Sequence, residues 1–201
     1  HNGYIEERTT NQLYLEQEGK FLADRYVMGT CPKCQFSQAR GDECQRCGAN
    51  YEATDLIHPV SKISGLPLVL KPTTHWFLRF DLFKQKLSEW LLSKNWKSNV
   101  LHFASSYAED LKMRSITRDM DWGVPVPLPH AQGKVFYVWF DAPIGYMSAT
   151  KEWAENQREP EKWKKYWFDP KTKLVQFIGK DNIPFHALFF PAMIMGQNQP
   201  Y

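Results

Sequence analysis

All four cysteines of this 201-residue chain fall between positions 31 and 47. They read Cys31-Pro-Lys-Cys34, then a nine-residue spacer, then Cys44-Gln-Arg-Cys47-Gly48. Two Cys-x-x-Cys pairs across a short loop set four thiolates, each about 2.3 Å from a shared ion, in the tetrahedral shell zinc takes. A shell closed by four protein sulfurs leaves no place for water or substrate. The single zinc expected here is therefore structural. Gly29, Gly41 and Gly48 suit the sharp bends of such knuckles. The alternative is a pair of disulfides, but the rest of the chain reads as a cytosolic enzyme, not as a small secreted scaffold. The spacing marks a metal site and leaves activity open, because zinc-binding loops occur in many unrelated proteins.

Two later segments carry residues of another chemistry. Trp139-Phe-Asp-Ala-Pro-Ile-Gly-Tyr146 follows the apolar run 135–139, and Gly179-Lys-Asp-Asn-Ile-Pro-Phe-His186 follows the apolar run 174–178. In open parallel sheets, ligands bind beyond the carboxyl ends of the strands. Gly179 lets a ligand approach the backbone, and Asp181 can accept hydrogen bonds from ribose hydroxyls or cap the next helix. Trp139, Tyr146, His186 and Phe190 can line an apolar pocket with few polar handles. The same spacing also fits plain core packing.

The elements that must hold these residues follow from periodicity. His1 to Asp24 reads as short strands, and residues 26–55 form the knuckle. Pro59, Gly65 and Pro67 punctuate further short strands over 56–70. His75 to Phe80 is a strand. Leu82 to Lys94 is a helix, with Leu87, Trp90 and Leu91 at helical spacing and Asp81 as its cap. A second helix is expected over Asn99 to Lys112, with Val100, Phe103, Tyr107 and Leu111 as its apolar face. Val135 to Trp139 and Leu174 to Ile178 read as strands. Asp141 is the expected N-cap of a helix with Pro143 in its first turn, and Lys151 to Pro170 reads as an amphipathic surface helix. Ile183 to Met195 is an apolar helix. Strand–helix–strand–helix order in the last third implies a parallel sheet with crossovers.

Composition sets limits. A net charge of +3 from 25 basic and 22 acidic residues is too balanced to mark a nucleic-acid surface by itself. No apolar run of about eighteen residues is present, so no membrane span is expected, and no signal peptide is seen. The chain begins at His1 and stops at Tyr201 just after an apolar run, so it is expected to be a piece of a longer protein.

The segments Phe136 to Met147 and Phe177 to His186 closely resemble methionyl-tRNA synthetases, as do Phe21 to Cys34 and Ser115-Ile-Thr-Arg-Asp119. The resemblance runs in order along essentially the whole chain. It implies an α/β, Rossmann-type parallel sheet, of which only the second half is present, with an inserted small α+β zinc-knuckle connective domain. Residues 1–130 would be that insertion, with a helical part at about 81–112. Residues 131–201 would be the second half of the catalytic domain.

The implied activity is that of a cytoplasmic, ATP-dependent methionine–tRNA ligase, with magnesium accompanying ATP and tRNA as the acceptor. Trp139, Ala142, Pro143, Tyr146, His186 and Phe190 would form the methionine pocket. Aromatic surfaces suit a polarisable thioether. Gly179 and Asp181 would contact adenosine. Arg118 would act in activation, with a surface salt bridge as the other reading. Cys31, Cys34, Cys44 and Cys47 would hold the zinc. The stretch Leu13 to Lys20 lacks the extra cysteines of members with a second knuckle.

The sequence departs from the family in places. Many members carry tryptophan at the position of Phe190. The family's His-Ile-Gly-His and Lys-Met-Ser-Lys-Ser motifs are absent from this chain, so it is expected not to form adenylate alone. The competing expectations are another class I synthetase and a non-catalytic zinc module binding RNA or protein.

Overall fold

A computed structural model describes residues 2–41, 44–49 and 51–197. The first half is built mainly of strands: β1 (Ile5–Leu15), β2 (Lys20–Phe21), β3 (Val27–Thr30), β4 (Ala39–Arg40), β5 (Ile57–Ser61) and β6 (Val69–Leu78). Helices α1 (Lys84–Leu92) and α2 (Ser98–Glu109) follow. Three short strands come next, β7 (Arg114–Ser115), β8 (Thr117–Asp119) and β9 (Lys134–Phe136). Four α-helices follow among the described residues, α3 (Val138–Asp141), α4 (Ile144–Asn156), α5 (Lys164–Trp167) and α6 (Phe190–Met195). The strands form sheets ordered β2-β1-β6-β7, β4-β3-β5 and β8-β9. The β1–β2, β3–β4, β3–β5 and β6–β7 pairs are antiparallel.

The described residues pack as two units. One comprises Glu7–His75 and Arg118–Val135 and carries the cysteines. Its core gathers Leu13, Leu15, Val27, Cys31, Ala39, Cys44, Ala53, Leu56 and Leu68. Leu13 and Leu15 are two apart on β1, so the strand's period of two turns both inward. Gly41 lies against the chain at Asp24, where an added Cβ would sit 2.2 Å from the Asp24 carbonyl oxygen. Close approach, rather than an unusual φ, is what this glycine supplies.

The other unit comprises the described residues of His1–Glu6, Trp76–Thr117 and Phe136–Tyr201. Leu87 and Leu91 face inward from α1 at a spacing of four, and Ala104 and Ala108 do so from α2. Small residues on α2 let the two helices approach, so Phe103, expected on the inner face, is 44% exposed instead. Phe83, Leu87 and Leu188 are almost fully buried, and each such burial contributes about 1.5–3 kcal/mol. Phe189 packs against Phe80 at 4.6 Å and Tyr107 at 6.0 Å between ring centroids. By packing, the helical stretch near 81–112 thus groups with the residues after 135.

Several local expectations are corrected. The run 135–139 is a strand only through Phe136, and α3 begins at Val138. A short apolar run does not by itself separate a buried strand from a helix. Residues 174–178 join no strand, and Phe177 is 96% exposed. An apolar run becomes a parallel strand only where neighbouring strands bond it and cover both faces, and no such pairing forms among the described residues. Asp141 ends α3 and does not cap α4, whose N-cap position is Pro143. The expected long surface helix over 151–170 breaks after Asn156 and resumes as α5. The expected helix 183–195 contains a π-helical turn at Phe185–Phe189 before α6. Pro191 has no N–H for the carbonyl four residues back, and its ring crowds that carbonyl. The widened turn relieves this.

Candidate functional site: a four-cysteine centre and an aromatic pocket

The sulfurs of Cys31, Cys34, Cys44 and Cys47 all lie within 4.8 Å of one another. Cys31 and Cys47 are 3.9 Å apart and Cys34 and Cys44 3.6 Å. A tetrahedron with 2.3 Å arms has edges of about 3.8 Å. The spacing fits an ion at the centre, whereas a disulfide needs about 2.05 Å. All four cysteines are free thiols.

The two knuckles share one backbone design. Cys31 N–H donates to Phe36 O and Gln35 N–H to Cys31 O. Cys44 N–H donates to Ala49 O and Gly48 N–H to Cys44 O in the same pattern. Gln35 and Gly48 hold equivalent left-handed positions, at φ 60° and 68°. A side chain pays for that conformation, about 1–2 kcal/mol. Gln35→Gly is therefore expected to stabilise the cysteine-bearing unit by about 1 kcal/mol, read as a raised denaturation midpoint at unchanged metal content.

The centre also selects its charged members. Burial pushes the Cys44 thiol up, but the N–H groups of Cys47 and Arg46 outweigh it and bring the pKa to about 7. The N–H of Phe36 pulls Cys34 down, yet burial and the three neighbouring sulfurs push it up to about 12. Four thiolates this close repel one another, which is the charge a divalent cation neutralises.

The second site lies in the helical unit. Tyr146 Oη is 2.8 Å from His186 Nε2, and His186 Nδ1 is 2.8 Å from the Asn182 carbonyl oxygen. A carbonyl only accepts, so Nδ1 carries a proton. Nε2 of the neutral ring then accepts from the Tyr146 hydroxyl. The Tyr146 ring also packs near His186 and Phe190, at centroid distances of 5.8 and 6.4 Å. His186 sits in the π-helical turn, a feature frequent at functional sites. Trp139 stacks on Phe185 at 4.6 Å.

The remaining sequence-derived residues are placed as follows. Ala142 is exposed and Pro143 buried, both between α3 and α4. Gly179 and Asp181 are exposed, in the extended lead and 3-10 turn one turn ahead of His186. The N-cap position there is Gly179, without a side-chain cap bond. Arg118 lies on β8 in the cysteine-bearing unit and is half-buried.

Three contributors escaped sequence reasoning. Phe185 backs Trp139, Trp167 packs edge-on to Phe190 at 6.3 Å, and the Asn182 carbonyl orients His186. The i to i+4 spacing of Asn182 and His186 was a usable signal; the Trp167 contact had none. A separate hollow of about 450 Å³ is lined by Ala149, Thr150, Trp153 and Tyr166. Its lining holds no charged group, so it offers nothing to neutralise phosphate.

All 201 residues match the family described as class I tRNA synthetases (M). The chain is 66% identical over 200 residues to a methionine–tRNA ligase of Protochlamydia amoebophila, covering 100% of this chain and 29% of that protein. It is 55% identical over 199 residues to the methionine–tRNA ligase of Chlamydia abortus, covering 99% of this chain and 36% of that protein. The chain thus spans about a third of the length of these relatives. Its fold is similar to apo methionyl-tRNA synthetase of Mycobacterium tuberculosis, with a TM-score of 0.57 at 22% identity over 97% of this chain and 34% of that one. A structure of the Mycobacterium tuberculosis protein bound by methionyl-adenylate matches equally, covering 97% of this chain and 33% of that one. The likeness supports the α/β, Rossmann-type class expected from the sequence.

Proposed function

The chain belongs to the family of class I tRNA synthetases (M), and on that premise we propose that it forms the central part of a methionine–tRNA ligase. The observation that carries this reading is the Tyr146–His186–Phe190 cluster, one turn beyond the Gly179–Asp181 loop. The whole enzyme would join methionine to ATP. A methionine carboxylate oxygen bonds to the α-phosphorus as the bond to pyrophosphate breaks. The methionyl group of the adenylate then passes to the terminal ribose of tRNA, releasing AMP.

No side-chain nucleophile takes part in that sequence. Catalysis is positioning plus neutralisation of phosphate charge. Trp139, Ala142, Pro143, Tyr146, His186 and Phe190 receive the methionine side chain. The His186–Tyr146 hydrogen bond holds both rings in one orientation. Gly179 admits the adenosine close to the backbone, and Asp181 accepts from its ribose hydroxyls. Arg118 meets charge on ATP, which arrives with magnesium.

The four cysteines hold one zinc, whose binding contributes folding free energy to the knuckle. Along the chain, residues 1–130 are the connective insertion, with the knuckle at about 26–55, and residues 131–201 the returning half of the nucleotide fold. The place of work is the cytoplasm. No helix among the described residues is long and apolar enough to cross a membrane. The reading is tested by methionine-dependent ATP–pyrophosphate exchange in the complete enzyme, which it predicts and whose absence would contradict it.

A further inference from the structure

In the cysteine-bearing unit, two strands send side chains to a carboxylate on a third. Asp119 ends β8, and its Oδ2 accepts from Thr73 Oγ1 at 2.8 Å and from His75 Nε2 at 3.0 Å, both on β6. Its Oδ1 accepts from Lys134 Nζ on β9. The Lys134 ammonium also donates to Thr73 Oγ1. The Thr73 hydroxyl thus donates to the carboxylate and accepts from the ammonium, closing a ring of polar contacts. The side chains of His75, Lys134 and Asp119 are only 3%, 12% and 17% exposed. Burial pushes the Asp119 carboxyl up, but the bonds from His75, Lys134 and Thr73 outweigh it and hold it at about 2.

A buried ion cluster of this kind rarely adds net stability over apolar side chains of the same shape, because desolvating the charges offsets their attraction. What it does supply here is a fixed position. β8 is three residues long, and it is followed by Met120 and Trp122 at 46% and 83% exposure. Little apolar burial anchors that end of the strand. Residue 118 is next to the anchored carboxylate. Successive strand residues face opposite ways, so turning Asp119 into the cluster sends Arg118 out of the other face.

We propose that Asp119, held by Thr73, His75 and Lys134, is a positioning residue for Arg118 in the amino-acid activation step. The proposal rests on the role given to Arg118 above. Misplacing a catalytic group by about 1 Å costs up to a hundredfold in rate. The effect should appear in kcat, since Asp119 itself touches no substrate.

The test is a double-mutant cycle in the complete enzyme, read by ATP–pyrophosphate exchange. Asp119→Asn keeps the shape and removes the charge. It is expected to lower kcat by about tenfold or more, with KM for methionine and the zinc content unchanged. Arg118→Ala is expected to lower kcat by about a hundredfold. The double variant is then expected to be no slower than Arg118→Ala, because the carboxylate has no guanidinium left to place.

Should Asp119→Asn fold poorly, Thr73→Val removes one support and Thr73→Ser restores it. The first is expected to lower kcat and the second to recover it. An unchanged kcat in Asp119→Asn, or losses that multiply in the double variant, overturns the positioning role. An unchanged kcat in Arg118→Ala instead overturns the underlying assignment of Arg118, and with it this inference.

Discussion

Cys34→Ser is expected to empty the metal centre and unfold residues near 26–55, leaving the helical unit largely intact. Cys34 is the informative position because it is half-buried, whereas Cys31 and Cys44 are fully buried in the core of their unit. Replacing a buried cysteine would change packing and metal together. Replacing Cys34 chiefly removes one sulfur from a set spaced for a single ion. Binding of a structural zinc is worth about 10–16 kcal/mol in small zinc-finger peptides, more than most domains have to spare.

Two core residues of the cysteine-bearing unit, Cys31 and Cys44, belong to the proposed zinc shell, so loss of the ion should spread through β3, β4 and β5. Metal analysis should show less than one zinc per chain. Amide exchange should become fast over 26–55 and stay slow in α1 and α2. One zinc per chain in the variant would contradict the assignment of the four cysteines.

His186→Ala is expected to lower kcat/KM for methionine by 10- to 200-fold in the complete enzyme, corresponding to about 1–3 kcal/mol of pocket contact. Two losses combine in it. The ring leaves the face it shares with Tyr146 and Phe190. The Tyr146 hydroxyl loses the acceptor that fixes its direction. Tyr146→Phe separates the two, since it keeps the ring and removes only the hydroxyl. It is expected to cost about 0.5–1.5 kcal/mol, a smaller loss than that of His186→Ala. Leucine makes no use of a polar contact near sulfur, so its weak turnover should change less than that of methionine in either variant. Equal losses for both amino acids would mean that His186 supports the fold and does not read the side chain.

The parts of this molecule that sequence spacing reveals are those whose partners lie close along the chain. The four cysteines sit within one loop and declare their geometry outright. Helices α1 and α2 follow from apolar residues three and four apart, although Phe103 shows that the inner face is chosen by what packs against it. Tyr146 meets His186 and Phe190 from 40 or more positions away, a contact that spacing left open against plain core packing.

The parts that spacing hides depend on distant or absent neighbours. The run 174–178 looks like a buried strand because apolarity reports a need for cover without naming what supplies it. The π-helical turn at Phe185–Phe189 arises from a backbone conflict near Pro191, which periodicity reads simply as helix. The ring around Asp119 joins residues as far as 61 positions apart. His75 and Lys134 carry no local sign of it.

The most direct measurement is ATP–pyrophosphate exchange by the complete enzyme, comparing methionine with leucine, isoleucine, valine and cysteine. Strong stimulation by methionine alone is the expected result. Stimulation by one of the others would make this another class I synthetase. No stimulation by any of the five would contradict the proposed ligase and leave a zinc-bearing binding module.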